Sequence, residues 1–197
     1  PGGHAPSGVV AMTAPLPEVA YPASEDEECV YEPAEDTFLL IDVLLAEAER
    51  LRAIPPVVCV ELGPGSGVVT ASLFQSLSLP SPALFVGVDI NMRAAVTSRA
   101  TARRHGVHHH DVIHGDLLHA LSPRIWGHVD VLVFNPPYVP SPADEVGTDC
   151  IEAAWAGGER GREVIDRFLP DVPHLLSANG ALYLLLEAAN QPDDVAG

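Results

Sequence analysis

Five short runs of apolar residues, separated by stretches with helical periodicity, constrain the fold of this chain more than any other feature. The runs cover residues 57–62, 84–90, 112–114, 129–134 and 181–186. Strands that are apolar along their whole length are typical of parallel sheets, because helices cover both faces of such a sheet and neither face meets water. The pattern therefore predicts an α/β fold, with a mostly parallel sheet and helices on both faces.

The helical spacing of apolar residues predicts the elements between these strands. The predicted helices cover residues 33–51, 68–77, 91–105 and 160–176. Pro33 is placed in the first turn of the first helix, and Asn91 is a candidate N-cap of the third. Asn179-Gly180 predicts a turn before the fifth strand, and residues 190–197 are expected to form a loop.

Composition divides the chain after residue 29. Residues 1–29 are rich in Pro, Gly, Ala and Ser, end in an acidic run and show no apolar periodicity, so we expect a flexible tail. Residues 30–197 are long enough for one domain with its own core. No apolar stretch is long enough for a membrane helix, and three cysteines without CxxC spacing favour a reducing compartment, the cytoplasm or also the nucleus.

A glycine-rich turn follows the first predicted strand, where residues 61–67 read E-L-G-P-G-S-G. Glycines permit a tight turn and close backbone approach, and the helix that follows presents free N–H groups, as binding of a nucleotide-type ligand requires. Asp89 ends the second strand, where a carboxylate can accept hydrogen bonds from both hydroxyls of a ribose. Asp116 and Leu117 follow the third strand, where a carboxylate and a backbone N–H could read an adenine edge.

The segment Asn135-Pro136-Pro137-Tyr138 directly follows the fourth strand. It is therefore expected at the carboxyl edge of the sheet, where such folds bind ligands. Two prolines remove two N–H donors and leave two acceptors, the Asn135 side-chain oxygen and the Pro136 carbonyl. Converging acceptors suit a planar NH2 group and would aim its nitrogen at an electrophile, while Tyr138 could stack on the planar group. The segment predicts chemistry on a planar nitrogen.

In these segments the chain resembles class I S-adenosylmethionine-dependent methyltransferases of the (Asn/Asp)-Pro-Pro-(Tyr/Phe) type. More narrowly, it resembles the eukaryotic HemK-type glutamine methyltransferases, which act on the class I translation release factor. The resemblance covers residues 30–190 and is carried by residues 30–40, 61–67, 133–139 and 151–158. It implies a Rossmann-like class I methyltransferase fold, S-adenosylmethionine as cofactor, and methylation of the side-chain amide nitrogen of the glutamine in the GGQ motif of the release factor.

The resemblance also implies roles for individual residues. Cofactor contacts are expected from Thr37, Glu61, Gly63, Gly65, Gly67, Asp89, Asp116, Leu117 and Asn135. Asp89 would hold the ribose, Asp116 and the Leu117 amide the adenine, and Thr37 and Glu61 the methionine end. The substrate amide would lie among Asn135, Pro136, Pro137 and Tyr138, of which Asn135, Pro136 and Tyr138 are the predicted catalytic residues.

Related eukaryotic enzymes work as heterodimers with a small zinc-binding activator protein that covers the sheet edge near the third strand. By this resemblance, Val107, Val112 and Ile113 are candidate contacts for such an activator. The family also has an antiparallel hairpin of two more strands after the fifth. Few residues remain after Leu186, so we expect that this C-terminal hairpin is missing and that residues 182–186 expose an unpaired edge.

Three other functions are compatible with parts of this pattern. The catalytic turn fits the exocyclic amine of adenine in DNA or RNA as well as an amide, and lysine methylation is a further enzyme alternative. The alternative without catalysis is a scaffold subunit that binds S-adenosylmethionine. A net charge of −17, from 10 arginines and 27 acidic residues, argues against nucleic acid, since basic patches supply most of that affinity. No metal site is predicted, because neighbours in the run His108–His110 would point to opposite faces of a strand.

Overall fold

The computed structural model of the protein describes residues 15–78, 83–121, 123–149 and 151–196. Its centre is a sheet of five parallel strands in the order β3-β2-β1-β4-β5. The strands are β1 (Val58–Leu62), β2 (Leu84–Asp89), β3 (His110–His114), β4 (Val129–Phe134) and β5 (Leu176–Leu184). The order reverses between β1 and β4, which opens a crevice at the carboxyl ends of these two strands.

Helices connect the strands. The α-helices are α1 (Glu35–Ala46), α2 (Ala48–Ala53), α3 (Val68–Leu77), α4 (Met92–Arg104), α5 (Glu163–Phe168), α6 (Val172–Leu175) and α7 (Pro192–Ala196). Short 3-10 helices cover Ser24–Asp26, Leu117–Ala120, Pro123–Ile125, Ala143–Glu145, Ile151–Ala154, Glu159–Gly161, Leu169–Asp171 and Ala188–Asn190.

The sheet carries a hydrophobic core on each face. Successive residues of a strand point to opposite faces, so β4 contributes Val131 to one core and Leu132 to the other. The first core includes Leu44 of α1 and Leu73 of α3, and the second includes Phe168 of α5. The predicted Rossmann-like fold, a parallel sheet covered by helices on both faces, is confirmed.

The predicted elements differ from the structure mainly near prolines. The helix predicted over residues 160–176 is divided into α5, a 3-10 turn and α6, because Pro170 and Pro173 have no N–H for an i→i−4 bond. The turn predicted at Asn179-Gly180 is not present. These two residues lie within β5, at the point where its pairing with β4 shifts register. α1 begins at Glu35, after Pro33, and the loop predicted over residues 190–197 contains α7.

The described part of the predicted tail, residues 15–29, has defined contacts with α4. The Ala20 N–H donates to Thr101 Oγ1 at 3.0 Å. Asp26 is buried, and its carboxylate accepts from Arg93 Nη1 at 2.8 Å and from the Ala23 N–H at 3.0 Å. Composition alone does not reveal these contacts, because they are made with residues far along the chain. Residues 1–14 lie outside the described residues.

Candidate active site

A cavity lies at the carboxyl ends of the strands, and most of the residues predicted for the cofactor meet there. These lining residues are Thr37, Glu61, Gly63, Gly65, Asp89, Asp116, Leu117 and Asn135. Pro137 also lines the cavity, whereas Gly67, Pro136 and Tyr138 do not. The parallel sheet explains the convergence, because every strand in it ends at the same edge.

Gly67 has a packing role in this structure rather than a place in the cavity wall. It precedes α3 with a φ of +81°, a backbone conformation that residues other than glycine rarely adopt. A Cβ at this position would lie 2.8 Å from the Ser98 Cα of α4. Gly67 therefore allows α3 to approach α4 closely, while Gly63 and Gly65, both with positive φ, form the turn that lines the cavity.

Asp89 is held by two backbone N–H groups at the end of β2. Oδ2 accepts from the Gly65 N–H at 3.1 Å, and Oδ1 accepts from the Asn91 N–H at 2.9 Å. Burial raises the pKa of Asp89 to about 6, so the carboxylate is ionised at neutral pH. A carboxylate oxygen can accept more than one hydrogen bond, so both oxygens keep capacity for a pair of neighbouring hydroxyls in the cavity.

Glu61 is a buried carboxylate on β1. It accepts a short hydrogen bond from the Thr70 hydroxyl of α3. Burial raises the pKa of Glu61 to about 7, and the negative charge of Asp89 acts in the same direction. A cation in the cavity would favour the ionised form, so this end of the site suits a positively charged ligand group.

Replacing Glu61 by glutamine should flatten the pH dependence of the stability of the cofactor-free protein. The pKa of Glu61 is raised from its ordinary 4.5 to about 7, so the folded protein favours the protonated side chain. The contribution of this protonated form to the free energy of unfolding is complete below pH 4.5 and is lost as the pH rises through 7. Between about pH 5 and pH 8 the wild type should lose about 2 to 3 kcal/mol that the E61Q variant keeps. Urea denaturation across this pH range measures the difference. Glu49→Gln, at an exposed position, is the matched control, and an E61Q curve parallel to the wild-type curve would contradict the expectation.

The turn after β3 places the Asp116 carboxylate and the backbone of Leu117, which has a left-handed conformation, at the cavity. Leu117 has a φ of +49°, which a residue with a side chain rarely adopts and which is often found at ligand sites. The exposed Asp116 forms an ion pair with Arg167 of α5, and both residues line the cavity. Arg167 was not predicted from the sequence, because nothing local to α5 indicates that its side chain reaches the turn after β3.

Asn135 presents one free acceptor at the end of β4. Its Nδ2 donates to Asp36 Oδ2 of α1 at 2.9 Å, while Asn135 Oδ1 is buried and has no hydrogen-bond partner. A buried acceptor without a partner costs about 1 to 3 kcal/mol, and among the buried side-chain atoms of the described residues that have no partner, Asn135 Oδ1 is the one whose residue lines the cavity. Since Asp36 fixes the amide nitrogen, Oδ1 is the atom that remains for a ligand donor.

Asp36 connects the catalytic turn to the start of α1. Besides Asn135, its Oδ2 accepts from the Tyr138 hydroxyl at 3.3 Å. Its Oδ1 accepts from the Thr37 N–H at 2.7 Å and from the Tyr31 hydroxyl at 3.5 Å. Burial and the nearby Asp36 raise the pKa of Tyr138 to about 12, so this hydroxyl stays a donor at neutral pH.

Several residues of the site were missed in the sequence. Asp36 lies within residues 30–40 but received no role of its own from the sequence, and Cys29 and Tyr31 line the cavity although they lie at the border of the predicted tail. The segment after the catalytic turn adds further wall residues, namely Gly147, Ile151, Ala153 and Ala154. A helix-start pattern could have indicated Asp36, but only the fold shows that α1 faces the end of β4.

The site has the side chains that a nucleoside with a cationic end requires. The Asp89 carboxylate can accept hydrogen bonds from two neighbouring hydroxyls, the Glu61 carboxylate can pair with a cation, and Asn135 Oδ1 can accept a hydrogen bond from a ligand donor. Among the described residues no cluster of three or more His, Cys, Asp or Glu side chains could hold a metal ion. Within the same described ranges, no helix is both long enough and apolar enough to cross a membrane.

Comparisons with known proteins agree with this geometry. Residues 37–194 match the family model described as Methyltransferase small domain. The mouse protein Methyltransferase HEMK2 is 52% identical over 166 residues, which are 84% of this chain and 75% of the mouse protein. The Schizosaccharomyces pombe protein eRF1 methyltransferase catalytic subunit mtq2 is 33% identical over 173 residues, which cover 82% of this chain and 74% of the yeast protein.

A solved structure supports the fold. The ribosomal protein L11 methylase from Lactobacillus delbrueckii subsp. bulgaricus superposes with a TM-score of 0.56 at 14% identity, over 84% of this chain and 67% of the other. At this identity the likeness concerns the fold alone. The family match and the two relatives go further, and the chain belongs to the methyltransferase small domain family as an S-adenosylmethionine-dependent methyltransferase.

Proposed function

We propose that this methyltransferase modifies the side-chain amide nitrogen of a glutamine in a protein, the GGQ motif of the class I translation release factor being the expected substrate. The observation that carries the proposal is Asn135 Oδ1, a buried acceptor without a partner at the cavity. The Pro136 carbonyl follows Asn135 in the same turn, outside the cavity wall, and would be the second acceptor for a planar NH2 group, which has two N–H bonds to donate. The name of the Schizosaccharomyces pombe relative, an eRF1 methyltransferase, supports the same substrate class.

The cofactor-binding residues divide along the cavity. Asp89 would hold the ribose hydroxyls, Asp116 and the Leu117 N–H would face the adenine, and Thr37 and Glu61 would serve the methionine end. When bound, S-adenosylmethionine supplies a methyl group on a sulfonium, which is already a strong electrophile. The protein therefore has to orient the acceptor more than to activate the donor, and orientation alone contributes roughly 7 to 11 kcal/mol in favourable cases.

Asn135 and Asp36 act on the acceptor nitrogen. Hydrogen bonds from the substrate NH2 to Asn135 Oδ1 and to the Pro136 carbonyl fix the nitrogen and increase its electron density. Because Asn135 Nδ2 donates to the Asp36 carboxylate, its Oδ1 becomes a stronger acceptor. As the nitrogen–methyl bond forms and the methyl–sulfur bond breaks, positive charge would develop on the acceptor nitrogen until one of its N–H protons leaves to solvent, and the carboxylate of Asp36 behind Asn135 would stabilise this charge.

A heterodimer with a small zinc-binding activator is part of the proposal. The Schizosaccharomyces pombe relative is named a catalytic subunit, which supports a second subunit. β3 is an edge strand of the sheet, and its Val112 and Ile113 are only half-buried. Val107 was predicted as a third contact, but this was wrong: it is 1% exposed and belongs to the first core. We expect the activator to protect the β3 amides from hydrogen exchange, and protection confined to other elements would argue against this edge.

Transfer of a labelled methyl group tests the proposed substrate directly. The protein, with and without the activator, is incubated with the release factor, with the same factor carrying a Gln→Ala change in GGQ, and with DNA. We expect label on the unchanged release factor, none on the Gln→Ala factor or on DNA, and faster transfer with the activator. The net charge of −17 supports the expected failure with DNA. Label on DNA alone would instead support the adenine N6 alternative.

A further inference from the structure

Asn190 makes a dense set of hydrogen bonds outside the cofactor cavity. Its side chain is fully buried, at 0% exposure. Nδ2 donates to three backbone oxygens, those of Tyr138 at 3.0 Å, Arg160 at 3.1 Å and Gly161 at 3.3 Å. Oδ1 accepts from the Glu187 N–H at 2.8 Å. Both ends of the carboxamide are engaged, so the orientation of the side chain is fixed.

The bond to Tyr138 matters because the catalytic turn contains two prolines. Pro136 and Pro137 have no N–H, so the turn has fewer backbone donors with which to hold its own shape. Immediately after it, the Val139 N–H donates to the Trp155 carbonyl at 2.9 Å. Asn190 supplies a side-chain donor to the last carbonyl of the turn, where the backbone of the turn itself has few donors to offer.

The three segments around Asn190 are in close backbone contact. Gly161 has a φ of +67°, and a Cβ at this position would lie 1.8 Å from the Tyr138 carbonyl oxygen and 2.8 Å from Asn190 Nδ2. The Gly161 backbone is therefore packed directly against both the Tyr138 carbonyl and the Asn190 side chain. Because Asn190 also donates to the Tyr138 carbonyl, we expect a change at Asn190 to shift the backbone of Tyr138.

We propose that Asn190 is a positioning residue for the methyl acceptor, acting through Tyr138. The Tyr138 hydroxyl donates to Asp36 Oδ2, the same oxygen that holds Asn135 Nδ2, so the position of Tyr138 bears on the free acceptor Asn135 Oδ1. Asn190 does not line the cavity, so it does not contact the cofactor directly, and we expect its replacement to affect the substrate more than the cofactor. The inference rests on the proposed glutamine substrate.

Replacing Asn190 by aspartate tests this role. Aspartate has almost the same shape, but its ionised carboxylate cannot donate to the three carbonyls. We expect kcat/KM for the release factor to fall about tenfold or more, while the Kd of S-adenosylhomocysteine, measured by calorimetry, stays within about twofold. Asn179→Asp makes the same chemical change at an exposed position of β5 and should match the wild type in both measurements.

Asn190→Ser is the second variant, since it removes the bridge without adding a charge. Either variant, folded and binding S-adenosylhomocysteine normally, with wild-type kcat/KM would overturn the inference. Loss of S-adenosylhomocysteine binding in both would also overturn it, because Asn190 would then serve stability alone. The wild type is assayed first: if it leaves the release factor unmethylated, the proposed substrate fails, and this result is distinct from an effect of the variants.

Discussion

Asn135→Ala is expected to lower kcat for methyl transfer by about 10²- to 10³-fold while S-adenosylhomocysteine still binds. The reason is that Asn135 Oδ1 is the free buried acceptor of the site, and removing one preorganised hydrogen-bonding group at a reacting centre typically has an effect of this size. In the proposed arrangement most cofactor contacts come from residues on β1, β2 and the turn after β3, so the affinity for S-adenosylhomocysteine should change little. Initial rates at saturating substrate and a calorimetric Kd measure the two effects separately.

Asp36→Asn provides a graded companion to this variant. It keeps the shape of the side chain but removes the charge behind Asn135, so kcat should fall by about tenfold, less than in the alanine variant. Glu35→Gln removes one charge from the exposed neighbouring position of α1 and is the matched control. An Asn135→Ala protein that methylates at the wild-type rate would refute the assignment of the catalytic turn.

Asp89→Asn is expected to raise the Kd of S-adenosylhomocysteine by about 10²-fold, with a much smaller effect on kcat at saturating cofactor. An amide has one acceptor oxygen where the carboxylate has two, so the variant cannot hold both ribose hydroxyls while also accepting from Gly65 and Asn91. Hydrogen bonds to charged groups contribute about 1.5 to 3 kcal/mol each, which gives this magnitude. Isothermal titration of the variant measures the Kd, and Asp111→Asn, exposed at the start of β3, is the control.

The pH dependence of cofactor binding gives a second measurement on Asp89. Its pKa is raised to about 6, so the carboxylate becomes protonated as the pH falls through 6 and loses acceptor capacity. The Kd of the wild type for S-adenosylhomocysteine should therefore rise by about tenfold as the pH falls from 7 to 5. In Asp89→Asn this contribution should be absent. Equal pH dependence in both proteins would show that another group controls cofactor binding in this range.

The parts of the fold and site that were predictable from the sequence depend on local signals. Apolar runs located the five strands, and the carboxyl ends of β1, β2 and β4 lie at the cavity, so Glu61, Asp89 and Asn135 were brought together as expected. Asn91 is the N-cap of α4, accepting from the N–H groups of Arg93 and Ala94. In each case the chemical signal and its structural consequence lie within a few residues of each other.

The parts that were not predictable depend on contacts between distant segments. The bond between Asp36 and Asn135 joins residues 99 positions apart, and the ion pair between Asp116 and Arg167 joins residues 51 positions apart. In both pairs, the local sequence around each residue gives no indication of which distant residue it contacts. The sequence predicts a loop that begins at Asn190, and the burial of this side chain follows only from the packing of distant segments around it.

The strand order has a consequence for how substrate preference can change in evolution. β1 lies between β2 and β4, so the residues proposed for the cofactor on β1, β2 and the turn after β3 occupy one half of the crevice, and the turn after β4, proposed for the acceptor, occupies the other. Substitutions after β4 can therefore alter the acceptor molecule while the ribose and adenine contacts stay intact. A single scaffold could acquire new acceptors in this way without rebuilding its affinity for the methyl donor.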